Sequence, residues 1–550
     1  MKKVILYLII LLFGVQFAHS QEEENTNTIK IVKNDFVDRN EDEIPGATVF
    51  TGNVEVVHKG VIINCNKAYY FDKENYVKAF GNVRINQGDS ITLNSQYAEY
   101  DGKKELAIAT GNVLLRSPES TLTTDTIYYD KARQMAFYNN SGTIVNKENT
   151  LKSRSGKYYV NAKMYQFTTR VVVTNPKAKI ETNRLDYYEN SGHAYVFGPS
   201  NIYNQGNVIY TENGFYDTKR NTGILKKNSK IYYDNKIIEG DELFYDRNKN
   251  FSKGINNVKI TDTLNNMVAK GHYAELWRNA QTRKDSIILT KKALVITKVE
   301  GDSLYMHGKK MLVTGPPEDR VIRAFNNVRF YKTDMSGKCD SIHSNNKTAL
   351  TKLIGNPVVW NNDNQMTGDI MHLIGNNKTE KLDSLKVLNN AFLIQKDTLS
   401  KNGYNQMKGQ NLYGRFEDNK LREVDIIKNT ESIYYMYSED NELIGIDKKK
   451  CSKINLQITD NQIETVTAYK DVESNLYPED EFPENARKLR GFTWRGDERI
   501  KSKNDIFPEE ELELDKQIQI EAKQKAEENE TPMEVLPETL EYDEKNKSEK

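Results

Sequence analysis

The chain is poor in the residues that most often announce chemistry, with 3 cysteines, 7 histidines, 3 tryptophans and 12 prolines in 550 residues. Cys65, Cys339 and Cys451 are odd in number, far apart and outside any CxxC pattern. That spacing signals neither a disulfide framework nor a zinc site; buried free thiols are expected, with a Cys339–Cys451 pair as the alternative. His58, His193, His272, His307, His343 and His372 form no HExxH pair, and no GxSxG elbow, P-loop or GxGxxG fingerprint occurs. Metalloprotease, serine-hydrolase and nucleotide-binding readings therefore have no foothold, and no catalytic residue, metal or cofactor is assigned. Past the N-terminal stretch no apolar run is long enough to cross a bilayer as a helix.

Net charge is also lacking, at +0 over the whole chain, but the balance is uneven. Residues 509–550 hold 15 acidic and 6 basic side chains, a balance of −9 that leaves +9 on residues 1–508. This is a mild attraction for anions, far from the concentrated basic stripe of a nucleic-acid binder, so no nucleic-acid partner is expected.

What is abundant is tyrosine, 32 residues of it, together with a phrase that repeats. Gly52-Asn53-Val54-Glu55-Val56 returns as Gly81-Asn82-Val83-Arg84-Ile85 and as Gly111-Asn112-Val113-Leu114-Leu115, at steps of 29 and 30 residues. Between the copies lies a second phrase, Ala68-Tyr69-Tyr70-Phe71-Asp72, then Tyr97-Ala98-Glu99-Tyr100-Asp101, then Thr126-Ile127-Tyr128-Tyr129-Asp130. Self-similarity at a fixed period marks a repeat architecture. Both phrases alternate like strands, with Val54/Val56, Val83/Ile85 and Val113/Leu115 on one face and Glu55, Arg84 and Leu114 on the other. The Gly-Asn and Asp-Gly or Asp-Lys pairs are expected in tight turns at strand ends, since these residues tolerate positive φ. One repeat is then two strands and two turns, too little to close a core, whereas stacked repeats can share one.

The rhythm persists in looser form through Thr169-Arg170-Val171-Val172-Val173, Asn256-Asn257-Val258-Lys259-Ile260 and Asn326-Asn327-Val328-Arg329-Phe330, and reaches about residue 470. Residues 1–20 read as a secretory signal, with basic Lys2 and Lys3, an apolar run and Ala18-His19-Ser20 as the cleavage site; export is expected. Residues 21–45 are polar with one edge strand near Ile29 to Phe36. A first repeat block spans 46–275. The segment from Trp277 to Ile288 interrupts the spacing and is read as a long loop or a seam before a divergent block over 276–475. Residues 476–508, with the basic and aromatic stretch Arg487 to Arg495, read as a cap over the last strand, because an open edge must be covered. Residues 509–550 form an acidic tail, helical at first through Leu512, Leu514, Ile518 and Ile520 and disordered after.

The Gly-Asn-Val strand, followed by an aromatic-Asp strand ahead of the next Gly-Asn, in an exported chain, resembles the OstA-like family (organic solvent tolerance protein A-like), most strongly over residues 46–260. The resemblance implies an all-β, elongated, repeat-built β-jellyroll: a V-shaped stack of two antiparallel sheets, in one block or two, ending in the charged tail. It implies a periplasmic lipopolysaccharide-transport protein whose apolar groove shields lipid A acyl chains, with partners in an inner-membrane export complex and an outer-membrane translocon that join through terminal edge strands. On that reading the groove is lined by Val54, Val56, Val83, Ile85, Val113, Leu115, Val171, Val173, Val258 and Ile260, opposed by Ala98, Tyr100, Ile127 and Tyr129, as one trough along the whole stack. The chain departs from the family in its longer array, its basic cap and its acidic tail. Two other classes stay open: a closed β scaffold or adhesin stalk, whose valine stripe is only core, and a β-helix polysaccharide lyase, whose coils are shorter than this period.

Overall fold

In the computed structural model the described residues are 28–530, apart from 88–90, 119, 147–148, 177, 205, 265, 280, 283, 300, 362–363, 377–378, 380, 401, 419 and 460–461. The signal segment and the last 20 residues of the tail, 531–550, lie outside them. The chain divides into two compact units, residues 1–190 and 191–550. Within the described residues the secondary structure is strand throughout, except for four short 3-10 turns and the helix Glu509–Glu530.

In both units successive strands pair antiparallel with their neighbours in sequence, as the repeat requires. The Gly-Asn pairs, however, are not turns. They sit in the middle of 11- and 12-residue strands such as Ala47–His58, Tyr76–Gln87 and Leu106–Arg116. Gly52 and Asn53 have φ of 77° and 41°, and Gly81 with Asn82 and Gly111 with Asn112 repeat the pattern. Pairing skips across each of them, from Thr51 to Val54 opposite Lys67 and Cys65. Two left-handed residues in a row bend a strand without ending it, which few residues other than glycine and asparagine do cheaply. The true turns are Lys59-Gly60 and the Asp72 to Asn75 type. Sequence reasoning misplaced the pair because turn and bulge draw on the same residues.

The bend gives every strand two halves. In unit 1 the halves at 47–51, 67–71, 76–80, 97–101 and 106–110 pair into one arm, and those at 54–58, 61–64, 83–87, 91–95 and 113–116 into another. The N-terminal strands follow suit: Lys30–Lys33 joins the second arm and Phe36–Asp38 the first, with Asp35 at the bend. One hydrophobic cluster draws Ala68, Val77, Ala79, Ala98 and Ala109 from the first arm and Val54, Val56, Ile63, Val83 and Val113 from the second, so the arms pack face to face.

At the bend the return strands carry a small polar side chain. The hydroxyls of Ser95, Thr124, Ser153, Thr182 and Thr211 each donate to the carbonyl two residues on, at 2.9–3.4 Å. Cys339 and Cys451 do the same, with Sγ 3.4 and 3.3 Å from the carbonyls of Ser341 and Lys453, and Cys65 stands opposite Val54 at the matching place. All three thiols are free and buried. Burial pushes Cys65 up to about 11 and Cys339 up to about 12, so both stay protonated. The cysteines are stand-ins for the bend hydroxyls, not a redox pair.

Unit 2 repeats the scheme with Lys227-Asn228, Asn256-Asn257, Asn326-Asn327 and Asn389-Asn390 at its bends. Pairing runs unbroken through the expected seam: Tyr273 to Arg278 bonds with Asp285 to Thr290 across the loop. The compact units part at Asn190 and Ser191, not near residue 275, because that loop lengthens one turn without interrupting the sheet. The last strands, Gln462–Tyr469 and Glu473–Tyr477, lie on the two arms with Lys470 and Asp471 at the bend.

The segment read as a cap reaches much further than the last strand. Along strand Leu382–Lys396 alternation puts Ala391 and Leu393 in the main core and Phe392 and Ile394 in a second cluster on the outer face, closed by Phe482 and Leu489. From there the chain runs back across the outer face as a strap. Two fully buried glutamines clasp its backbone. Gln406 donates to the Arg487 carbonyl at 2.7 Å and accepts from the Leu489 N–H at 2.9 Å; Gln365 does the same with Thr493 and Arg495, both at 2.7 Å. Further back Phe507 packs edge-on to His307, and Asp515 of the helix pairs with Lys292 and with His272 Nε2. Of the helix's apolar residues, Ile518 is buried while Leu512 and Ile520 stay exposed.

Candidate functional site

The inner face of unit 1's second arm is a single cross-strand row. Val56, Ile63, Ile85, Leu93, Leu115, Leu122, Ile144, Leu151, Val173 and Ile180 are each directly paired with the next. The row lies toward the outer end of the arm, two residues beyond the bend. Val56 and Ile63 are buried; the other eight are partly exposed. Nearer the bend a second row, Val54, Val83, Val113 and Val171, is buried at 0–1% exposure.

The facing arm answers with tyrosine. Tyr70, Val77, Tyr100, Ala107, Tyr129, Ala136, Tyr158, Tyr165 and Tyr187 form the matching outer row, again each paired with the next. Nearer the bend Ala68, Ala79, Ala98, Ala109 and Ile127 make a floor of mostly small side chains. These small residues are buried against the valines opposite, while large apolar groups remain in partial view of solvent at the outer end. Burial, with the Glu105 and Asp101 carboxylates nearby, pushes Tyr100 up to about 12, and burial raises Tyr70 and Tyr158, so these three hydroxyls stay neutral. The pairing makes an apolar trough with an aliphatic wall, a tyrosine wall and a valine-alanine floor.

One end of the trough is closed. His58 Nδ1 lies 2.7 Å from the Tyr100 hydroxyl across the two arms, Lys59 pairs with Glu105, and Lys131 Nζ donates to the Lys59 carbonyl at 3.2 Å. The Ile29 N–H donates to Asn75 Oδ1 at 2.8 Å over the same end.

Of the ten groove residues expected, Val54, Val56, Val83, Val113 and Val171 lie on the buried floor or closed end, and Ile85, Leu115 and Val173 on the partly exposed wall. Val258 and Ile260 belong to unit 2's own core. Ile144 was missed, and so was the return-strand half of the wall, Ile63, Leu93, Leu122, Leu151 and Ile180. A signal for it exists: each stands five residues ahead of an inward residue of the other arm, Ala68, Ala98, Ile127, Gly156 and Leu185.

In unit 2 the corresponding row reads Ile202, Ile209, Ile231, Ile238, Ile260, Ala269, Val295, Met306 and Phe330. From Ile231 to Phe330 every member is buried. Three ion pairs join the outer ends of the arms over it: Arg278 to Asp234 at 2.9 Å, Lys236 to Asp285 at 2.8 Å, and Arg320 to Asp262 at 3.0 Å. The trough expected along the whole stack is thus shut over these rows of unit 2.

The trough of unit 1 coincides with a family match. Residues 26–183 match the family model described as OstA-like protein. The OstA-like segment covers the described part of unit 1 nearly end to end. No curated protein matches the chain. Among solved structures, the crystal structure of LptH, described as the LptA homologous periplasmic component of the conserved lipopolysaccharide transport device from Pseudomonas aeruginosa, aligns at 16% identity over 26% of this chain and 94% of its own. Its TM-score of 0.15 is too low to carry weight for the fold.

Proposed function

We propose that this chain is an exported, non-enzymatic carrier of lipopolysaccharide that shields lipid A acyl chains in the trough of unit 1. The observation that carries the reading is the row of eight aliphatic side chains left partly exposed from Ile85 to Ile180, in the segment that is OstA-like. An acyl methylene in water costs about 0.8 kcal/mol, so several chains make free passage prohibitively rare. A wall of near-identical rungs about 4.8 Å apart covers those methylenes without a deep trap at any one of them. Apart from Tyr100, which is buried at the closed end, the tyrosines of the facing row are partly exposed at the rim, suited to the polar part of such a lipid. The working place is the periplasm, and the partners are export machinery of the inner membrane and a translocon of the outer membrane, reached through terminal edge strands. The buried rows of unit 2 favour a structural role for that unit, as a spacer or scaffold.

The test is site-specific photocrosslinking in cells, with the probe at Ile85, Leu115 or Val173 and a control at the outward Arg84. Lipopolysaccharide adducts are expected at the three wall positions and not at the control. A folded, exported chain with no adduct at any wall position would leave a closed β scaffold as the better account.

A further inference from the structure

The outer ends of unit 2's arms are joined by charge, over a buried apolar core, where a sandwich would ordinarily use carbon. Arg320 stands just ahead of strand Val321–Lys332, at the outer end of the first arm, and Asp262 ends strand Phe251–Asp262 at the outer end of the second. Their side chains retain only 8% and 1% of their exposure. The guanidinium is under-satisfied: Nη2 reaches Asp262, Nη1 has only the Met267 sulfur at 3.7 Å, and Nε has no acceptor among the described residues. Lys236 and Asp285 bridge the same two ends, at 12% and 15% exposure, and Arg278 reaches Asp234 while lying 4.7 Å over the Tyr233 ring. Beneath these pairs runs the buried apolar row from Ile231 to Phe330, laid out like the wall of unit 1.

Desolvating a charge pair costs about as much as its attraction returns, so apolar residues of like volume would seal such a seam at least as firmly. A buried arginine with an unused donor is the expensive way to stay closed. Buried ion pairs find their best-attested use in fixing one of two arrangements. We propose that unit 2 contains a second acyl-chain trough held shut by an ionic latch, with Arg320–Asp262 at its centre and Lys236–Asp285 beside it. Its ligand is the alkyl chain of a lipid. The proposal rests on the acyl-binding reading of unit 1 for the identity of that ligand.

The full-length chain is incubated with a photoactivatable diazirine fatty acid, and adducts are mapped by mass spectrometry. Spin labels at Leu264→Cys and Glu318→Cys, both exposed and on opposite sides of the latch, read the spacing of the arms independently of any lipid. Wild type should give adducts between residues 83 and 180 and few between 231 and 330. Asp262→Asn should raise the unit 2 adducts at least tenfold and lengthen the spin–spin distance. Lys236→Met, a milder lesion, should shift both readings the same way. The apolar pair Arg320→Met with Asp262→Leu should stay closed on both. Unit 2 adducts in wild type as abundant as those of unit 1 would overturn the latch. So would an unchanged distance and adduct yield in both latch variants. Absence of adducts in unit 1 alone would count against the carrier reading, while the spin-label distances still decide the latch.

Discussion

Units 1 and 2 are built from the same bent strands, and the same inner row of aliphatic side chains runs through each. In unit 1 eight of its ten members are partly exposed; in unit 2 the run from Ile231 to Phe330 is buried. The residues of the row hardly differ. What differs is how the arm ends meet over it: in unit 1 one ion pair, Lys59–Glu105, at the closed end with tyrosines along the rest, and in unit 2 three pairs of opposite charge. The outer faces differ too, since unit 2 carries the strap from Phe482 to Phe507 and the helix after it. A shared core pattern therefore does not specify whether a sheet pair is open. Groups at the rim do.

The largest effect expected from breaking this comparison is in the cores. Ile260→Ala, in the buried row, should cost about 2–4 kcal/mol, whereas Leu115→Ala, at a matching place on the open wall, should cost about 1 kcal/mol while lowering the yield of lipid adducts. Chemical denaturation followed by amide exchange in each unit separates the two; equal costs would mean that the trough of unit 1 is closed in solution.

Next come the bends. Gly81→Val forces a β-branched residue into φ of 72° and sets its Cβ 2.9 Å from the Asn66 side chain. A loss of about 2 kcal/mol or more is expected, against roughly 1 kcal/mol for Asn82→Ala. Thermal melting of the two variants gives the order.

Acid should act on the strap before it acts on unit 1. Burial holds His307, beneath Phe507, down to about 4 from an ordinary 6.5. A depressed histidine weakens the folded state as pH falls below 6.5, and the loss is complete below about 4, roughly 3 kcal/mol at most. Glu498, bonded to Arg495 and near Lys338, is held at about 2 from 4.5, and its contribution is lost as pH falls through that window. Amide exchange over residues 487–507 should rise between pH 6 and 3 ahead of exchange over residues 106–130. Simultaneous loss would show that the strap is not the acid-sensitive part.

The smallest effect concerns the thiols. Cys65→Ser, Cys339→Ser and Cys451→Ser should each change stability by less than about 1 kcal/mol, because serine and threonine already fill the matching bends in both units. Cys→Val at the same places removes the donor to the carbonyl and should cost more, about 1–2 kcal/mol. Equal costs for Ser and Val would remove the hydrogen-bonding role.

Much of this was legible beforehand. The period of Gly52, Gly81 and Gly111, the alternation of Val54 and Val56, and the absence of long helical patterning before residue 509 all follow from strand geometry, which leaves a period of two and a turn chemistry in the sequence. Three of the eight wall residues were legible for the same reason, Ile85, Leu115 and Val173. Most of the others were not, since a residue such as Ile63 or Leu93 sits in no repeated phrase and is recognised only once the return strand is laid beside it.

By itself, then, the sequence determined that the chain is a stack of antiparallel strands with one aliphatic face per half-strand, because side-chain alternation is a local property. Tertiary structure alone decided that Gly-Asn is a bend, that the strap runs back to Asp515, and that the same row is open over Ile85 to Ile180 and shut over Ile231 to Phe330. The strap and the shut row depend on residues more than 40 positions apart, such as Arg320 and Asp262, and contacts over that separation leave no period for a reader of the sequence to find; the bend shows only when neighbouring strands are paired.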